Sequence, residues 1–152
     1  MTLKIYGRKS SANVQKVHWI CEEGNIEYTA INIGGSYGGH DSIEFKKINP
    51  NSTIPVLDDS GFIIYESNAI IKYISSKYKI LQINDNQTLS LAYQWMDWAS
   101  LVLGLPCGIL TAHSILLPQD KRDKNTIIDT RKKINTILQI LNNQLLKNNY
   151  VL

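Results

Sequence analysis

An acidic residue and two polar residues stand where a helix is expected to begin, near the middle of the chain. Glu66, Ser67 and Asn68 lead into an apolar helical pattern that runs to about Lys77. Free N–H groups and the positive end of the helix dipole meet at such a start, so it can hold a small charged molecule. The same residues could form a bare helix cap, but the carboxylate beside the cap favours ligand binding.

A proline interrupts the apolar segment that precedes this helix. Pro55 has no N–H to donate to a sheet, so we expect it at a sheet edge or after a cis peptide bond. A cis bond at this point would expose the backbone of Ile54 to a ligand. Together with Glu66, the segment predicts a site for an extended, peptide-like ligand.

Two serines stand between the first predicted strand and the first predicted helix. Ser10 and Ser11 follow strand residues 2–6 and precede a helical pattern over residues 14–23. A serine hydroxyl at this place either caps the helix or contacts a ligand, and both interpretations stay open from these residues alone. Asn13 has the same two alternatives.

The elements that would position these residues form an α/β unit. Strands are predicted at 2–6, 28–33, 54–58 and 62–65, and helices at 14–23, 41–47 and 67–77. A parallel crossover joins the first two strands, and a turn at residues 58–61 makes the last two antiparallel. The order βαβαββα predicts a mixed four-stranded sheet in a domain over residues 1–79.

The rest of the chain is predicted to be helical. No strand pattern follows residue 80, and residues 82–86 form a polar linker. A long helix over about 86–114 should be kinked at Gly104 and Pro106. A second long helix starts at Asp120 or Asp123 and runs to about Asn148. Residues 86–152 are therefore expected to be a partial all-α domain of two long helices.

Composition excludes several classes of function. The net charge of +3 does not suggest nucleic acid as a partner. No uninterrupted apolar run approaches the roughly 20 residues of a membrane span, and the N-terminus lacks a signal-peptide pattern, so a cytoplasmic location without membrane contact is expected. No C-x-x-C occurs, so neither a metal site nor a dithiol pair is expected. Cys21 fits a buried helical position; Cys107 lies near a pocket or in the core.

Three groups of residues, in order, resemble the glutathione S-transferase family, and within it the serine-type, theta- or zeta-like branch common in bacteria. They are Ser10 to Trp19, Asn49-Pro50 with Ile54-Pro55-Val56-Leu57, and Glu66 to Ile70. The resemblance implies a thioredoxin-like N-terminal domain that binds glutathione and a helical domain after it. Glutathione is the expected co-substrate.

The resemblance assigns the chemistry to Ser11. This serine matches the hydroxyl that hydrogen-bonds the glutathione sulfur, and Asn13 is expected to line the same site. A free thiol has a pKa of about 8.5, and one hydrogen bond to the thiolate could lower it by about one to two units. The thiolate would then attack an electrophilic carbon of a hydrophobic co-substrate.

The same resemblance distributes the rest of glutathione over the opening segment. Ile54, before the cis-proline Pro55, would pair through its backbone with the cysteinyl part. Glu66 and Ser67 would bind the γ-glutamyl amine and carboxylate.

The glycine end of glutathione has a weaker set of candidates. His40 stands where theta-like members place a residue near the glycine carboxylate. Thr53 departs from members that carry a lysine in its loop, which weakens the expectation for that carboxylate.

The resemblance also implies a homodimer and a longer helical domain. Family members usually have about 200 residues or more, so this chain is C-terminally short by comparison. Two hypotheses follow. One is an active glutathione transferase; the other is a non-catalytic or degenerate glutathione-transferase-like binding or interaction module.

Overall fold

The computed structural model describes residues 2–152 and divides the chain into two compact units, Met1–Gln82 and Ile83–Leu152. The elements of the first unit alternate between strand and helix. They are β1 (Leu3–Tyr6), α1 (Ala12–Glu23), β2 (Tyr28–Ile31), α2 (Ile43–Ile48), β3 (Val56–Asp59), β4 (Phe62–Tyr65) and α3 (Ser67–Tyr78).

The four strands form one mixed sheet in the order β2-β1-β3-β4. β1 pairs in parallel with β2, and it pairs antiparallel with β3, which in turn pairs antiparallel with β4. The predicted thioredoxin-like unit with its mixed four-stranded sheet is therefore confirmed.

The hairpin between β3 and β4 forms where the turn signal predicts it. Ser60 and Gly61 both have positive φ, 57° and 97°, as the tight turn of a two-residue hairpin requires. The Gly61 N–H donates to Asp58 Oδ1 at 2.7 Å and closes the turn. The predicted strand over residues 54–58 is wrong at its start, because Pro55 cannot donate to the ladder and β3 begins only at Val56.

The end of β2 and the loop after it also differ from the sequence prediction. β2 ends at Ile31 rather than at residue 33, where its carbonyl accepts a bond from the Gly7 N–H and the chain leaves the sheet. The glycine-rich stretch that follows, interpreted from the sequence as a mobile connection, contains one 3-10 turn, Gly35–Tyr37. A hydrogen bond of 2.7 Å from the Gly34 N–H to the Gly38 carbonyl closes this loop.

The core of the first unit lies between the sheet and the helices α1 and α3. Its buried members come from β1, α1, β3 and α3, and they are Leu3, Ile5, Val14, Val17, Ile20, Cys21, Leu57, Ile70 and Ile74. The predicted burial of Cys21 is confirmed, and burial raises the pKa of its thiol to about 11. This thiol therefore behaves as a small apolar side chain.

A polar cluster ties β3 to α3 on one side of this core. Asp59 is buried, accepts a hydrogen bond of 2.5 Å from the Tyr73 hydroxyl and forms an ion pair with Lys77. The hydrogen bond from Lys77, followed by that from Tyr73, lowers the pKa of the Asp59 carboxyl below its ordinary value of 3.8. The ionised carboxylate therefore stabilises the folded state.

Replacing Asp59 by Asn is expected to lower the midpoint of thermal unfolding at neutral pH. The folded-state pKa of Asp59 is depressed, so its stabilisation is present above 3.8 and is lost as the pH falls through the folded-state value. The difference between wild type and Asp59→Asn should therefore shrink in acid. Thermal unfolding of both proteins at neutral pH and in acid measures this difference, and exposed Glu27→Gln is the control. A difference that does not change with pH would contradict the ionic role of Asp59.

The second unit contains two long helical stretches. The first consists of α4 (Asn86–Trp98), a π-helical turn (Ala99–Leu103), α5 (Gly104–Thr111) and a second π-helical turn (Ala112–Leu116). The predicted interruption near Pro106 takes the form of the first π turn, because proline cannot donate to the carbonyl of the preceding turn. The second stretch is α6 (Lys124–Leu145).

Aspartates begin both stretches. Asp85 accepts from the Thr88 N–H at 2.7 Å, and Asp123 accepts from the N–H groups of Asn125 and Thr126. The choice between Asp120 and Asp123 is thereby settled in favour of Asp123. α6 ends at Leu145, three residues before the predicted end.

The stretch Asn86–Leu116 is long and apolar enough to cross a membrane by length and composition. The helix passes this test by its length and mean hydropathy, although polar residues interrupt it and no uninterrupted apolar run of about 20 residues occurs in it. Several of its large side chains are exposed, among them Leu101 at 64% and Leu105 at 62%. Length and composition are weak evidence of membrane insertion, since core helices of soluble proteins meet the same criteria.

Candidate functional site

A small cavity of about 150 Å³ gathers most of the predicted site residues. The start of α1, the loop before β3 and the start of α3 each contribute to its wall. Its lining consists of Asn13, Thr53, Ile54, Pro55, Glu66 and Ser67. The cavity thus brings together three segments, and the sequence predicts a residue of each to contact the same ligand. Its size suits one end of a peptide-like molecule rather than a whole one.

The Ile54–Pro55 peptide bond is cis, as expected from the position of the proline. Pro55 is buried and Ile54 is half-buried. Because β3 starts at Val56, Ile54 lies outside the sheet ladder, next to the cavity. Its backbone can therefore pair with an extended ligand.

Ser11 is the N-cap residue of α1 by position but not by bonding. Its backbone is extended, with φ −83° and ψ 122°, and its side chain makes no hydrogen bond to the first turn of the helix. The hydroxyl is therefore available to a ligand at the positive end of the α1 dipole. Ser11 is two residues from Asn13 in the cavity wall, although it does not itself line the cavity.

Glu66 and Ser67 occupy the start of α3 with different exposure. Glu66 is exposed and has a positive φ of 71°, which is uncommon for a residue with a side chain. Ser67 is buried, and its hydroxyl donates to Asn13 Oδ1 at 3.4 Å. The arrangement offers a carboxylate, a hydroxyl and helix N–H groups on one side of the cavity.

A lysine of α1 connects to the same corner. Lys16 Nζ donates to Asn68 Oδ1 at 3.1 Å. Burial lowers the pKa of Lys16, and the Glu66 carboxylate opposes that shift. α1 and α3 are therefore held together by polar contacts beside the cavity.

A buried asparagine shapes the loop before β3, and the sequence analysis assigned it no role of its own. Asn49 is fully buried, and its Nδ2 donates to the Thr53 carbonyl at 2.8 Å and to Thr53 Oγ1 at 3.2 Å. Its Oδ1 accepts from the Asn51 N–H at 3.0 Å. Asn49 thereby fixes the path of the chain into Ile54. The signal in the sequence was only its place in the Asn-Pro pair.

Replacing Asn49 by Ala is expected to destabilise the protein by about 2–4 kcal/mol, because it removes the three hydrogen bonds of a fully buried side chain and leaves its space unfilled. Urea or thermal unfolding measures the loss. Asn51→Ala is the matched control, since the Asn51 side chain is exposed and only its backbone takes part in the loop. Equal stability of the two variants would contradict the assignment.

His40 does not line the cavity. It follows the loop at residues 34–39, is half-buried, and within residues 2–152 its buried Nδ1 has no hydrogen-bond partner. Over the same residues, no cluster of three or more His, Cys, Asp or Glu side chains is arranged to hold a metal ion.

A larger, open depression of about 660 Å³ lies along α1 and is lined by Gln15, His18, Trp19, Glu22 and Glu23. His18 stacks on Tyr28 with ring centroids 5.0 Å apart, and burial lowers its pKa. Trp19 donates its indole N–H to Glu23 at 2.8 Å. Gln15 donates to the Lys9 carbonyl, and Glu22 accepts from the Tyr28 hydroxyl. These side chains are thus engaged by other groups of the protein, so we regard the smaller cavity as the candidate site.

Residues 5–82 match the family model described as the N-terminal domain of glutathione S-transferase. Glutathione S-transferase GstB of Escherichia coli K12 is 32% identical over 149 residues, which cover 95% of this chain and 72% of the relative. Glutathione S-transferase hmp2 of Hypomyces subiculosus is 38% identical over 116 residues, which cover 68% of this chain and 54% of the relative.

Solved structures of glutathione transferases are similar to this protein over almost its whole chain. The theta class glutathione S-transferase from Xanthomonas axonopodis pv. citri with glutathione bound has a TM-score of 0.93 and 30% identity, and covers 99% of this chain and 73% of its own. Poplar glutathione transferase F1 has a TM-score of 0.89 and 26% identity, and covers 99% and 72%.

Proposed function

This chain belongs to the glutathione S-transferase family, and from that premise we propose that it binds glutathione at the small cavity and activates the thiol through Ser11. It is a transferase-like enzyme with glutathione as its co-substrate. The single observation that carries the site is the meeting of Asn13, Ile54, Glu66 and Ser67 around one cavity.

The proposal places glutathione along the cavity from α3 to α1. The γ-glutamyl end enters the cavity, where Glu66 takes the ammonium and Ser67 with the first N–H groups of α3 takes the carboxylate. The cysteinyl part pairs with the backbone of Ile54, which lies outside the sheet ladder. The glycine end extends toward His40, whose Nδ1 is buried and has no hydrogen-bond partner within residues 2–152.

In this pose the sulfur lies at the start of α1. The Ser11 hydroxyl, which makes no capping bond, donates to the sulfur and favours the thiolate over the thiol. The dipole of α1 acts in the same direction. The thiolate then attacks the electrophile; a carbon–sulfur bond forms, the leaving group departs with its bonding electrons, and the thiol proton passes to solvent. Ser11 stays chemically unchanged.

The proposal includes a homodimer and a cytoplasmic location. Exposed apolar side chains of the second unit, such as Leu101 and Leu105, support association with another copy. Both cysteines are free thiols, as is usual in the compartment where glutathione is kept reduced. Sedimentation with and without glutathione tests the assembly.

The experiment that tests the function is conjugation of glutathione to a neutral aryl chloride, with retention on immobilised glutathione measured in parallel. Conjugation above the uncatalysed rate supports the enzyme. Retention without conjugation would favour a non-catalytic glutathione-binding module instead. Absence of both would contradict the proposal.

A further inference from the structure

A half-buried lysine of α1 lies beside the cavity with no carboxylate bonded to it. Lys16 Nζ donates to Asn68 Oδ1 at 3.1 Å. Within residues 2–152 the lysine takes part in none of the ion pairs and donates no second side-chain hydrogen bond. An ammonium has three N–H donors, and its burial favours a nearby anion because water is removed from the charge. The neutral amide of Asn68 therefore leaves most of this charge without compensation.

The neighbours of Lys16 place it beside the part of the cavity wall that α3 forms. Asn13, one turn earlier on the same face of α1, lines the cavity. Asn68 directly follows Ser67, which also lines the cavity and bonds to Asn13. The Glu66 carboxylate raises the pKa of Lys16 against the larger effect of burial, so the two charges are close enough to interact. Lys16 thus lies next to the residues proposed to hold the γ-glutamyl end.

The γ-glutamyl end presents this part of the site with two opposite charges. Its ammonium and its α-carboxylate are attached to the same carbon atom. When Glu66 binds the ammonium, the α-carboxylate therefore comes close to the Glu66 carboxylate, and the two like charges repel each other. The side chains that line the cavity include this one carboxylate and no cation. A cation just behind the wall would offset the repulsion.

We propose that Lys16 is a positioning residue whose charge offsets that of Glu66, so that the cavity accepts the α-carboxylate of the γ-glutamyl end. The inference rests on the proposed function and names the side chain that gives the site its preference for a zwitterionic end. Lys16 does not itself line the cavity, and it acts through Asn68 and Glu66. Without its charge, the site would lose its preference for a ligand that carries the carboxylate.

The test compares glutathione with 4-aminobutyryl-cysteinyl-glycine, which is glutathione without the α-carboxylate. The dissociation constant of this analogue divided by that of glutathione measures the preference for the carboxylate, and titration calorimetry gives both constants. The ratio should lie well above one in the wild-type protein. Lys16→Gln, whose amide can still donate to Asn68, should lower it about three- to tenfold, as expected for a charge that acts across a few ångströms in a partly solvated site.

Three further variants separate the charge of Lys16 from its hydrogen bond. Lys16→Arg keeps the charge and should keep most of the ratio, whereas Lys16→Met removes both charge and donor and should lower the ratio at least as much as Lys16→Gln. Lys47→Met removes an exposed lysine of α2 and should leave the ratio as in the wild type. If Lys16→Gln keeps the wild-type ratio, Lys16 only holds Asn68, and the inference is overturned.

A double variant tests whether the charge of Lys16 acts against that of Glu66. In Glu66→Gln the repulsion is absent, so adding Lys16→Gln should change the ratio much less than it does in the wild type. An equal change in both backgrounds would overturn the inference, because Lys16 would then act on the ligand independently of Glu66.

The wild-type protein alone also tests the inference, whether or not the variants fold. If it binds glutathione and the analogue equally, the α-carboxylate has no favourable site, and the inference fails while the proposed function stands. If the wild type binds neither ligand, the proposed function fails, and this inference fails with it.

Discussion

Ser11→Ala is expected to raise the pKa of the bound glutathione thiol by about one to two units and to lower kcat at neutral pH about ten- to a hundredfold. The Ser11 hydroxyl bonds nothing in the first turn of α1, so its hydrogen bond is available to the thiolate. Without it the thiol returns toward its free pKa of about 8.5, where only a few per cent is ionised at neutral pH. The pH profile of kcat measures the shift.

The absence of a capping bond from Ser11 separates this role from helix capping. A capping serine would stabilise the protein by about 1 kcal/mol, and its loss would lower the unfolding midpoint. Because the Ser11 side chain makes no capping bond, Ser11→Ala should unfold at nearly the wild-type temperature. A large loss of turnover with little loss of stability is therefore the expected signature.

Ser10→Ala is the matched control, since Ser10 is the exposed neighbour in the same turn. It should keep the wild-type pH profile, and Ser11→Thr, which retains a hydroxyl, should keep most of the pKa shift. If Ser10→Ala loses activity and Ser11→Ala does not, Ser10 is the residue that contacts the sulfur. If neither variant changes the profile, the helix dipole and backbone N–H groups activate the thiol without a hydroxyl.

Local chemistry explains why much of the fold could be predicted from the sequence. Gly61 and Ser60 form a turn because the hairpin needs positive φ at both positions, and Pro55 stands outside the ladder because it has no N–H. Asp123 caps α6 through bonds to residues two and three positions away. In each case the deciding contact lies within a few residues of the signal.

The parts that could not be predicted depend on contacts between distant segments. The packing of Arg8 on Gly35 and beside Ile54 joins three loops that are separate in the chain. His40 has a side chain suited to the predicted role, but it does not line the cavity. The loop before it, which a hydrogen bond from Gly34 to Gly38 closes, determines where His40 lies. No periodicity reports such contacts.

The site at Glu66 depends partly on local sequence and partly on contacts with distant segments. The start of α3 could be predicted from Glu66-Ser67-Asn68, since polar residues precede an apolar helical pattern. The cavity could not be predicted, because it needs Asn13 from α1 and Ile54 from the loop before β3. The site is thus a local motif completed by packing, and a change of charge at Glu66 tests the local part alone.

Glu66→Gln is expected to weaken the binding of glutathione about ten- to a hundredfold, the loss of one charge-assisted hydrogen bond to the γ-glutamyl ammonium. Glutamine has nearly the same shape as glutamate, and both residues adopt the same positive φ of 71° at this position. The conformational strain of the backbone is therefore the same in the variant and the wild type. Titration calorimetry measures the dissociation constant, and exposed Glu27→Gln controls for the loss of one surface charge.

A second ligand identifies the group that Glu66 binds. Glutaryl-cysteinyl-glycine is glutathione without the α-amine, so the wild-type protein should bind it about ten- to a hundredfold more weakly than glutathione. In Glu66→Gln the two ligands should bind almost equally, because the carboxylate that distinguishes them is gone. An equal weakening of both ligands would instead mean that Glu66 acts on the start of α3, and the γ-glutamyl ammonium would need another partner.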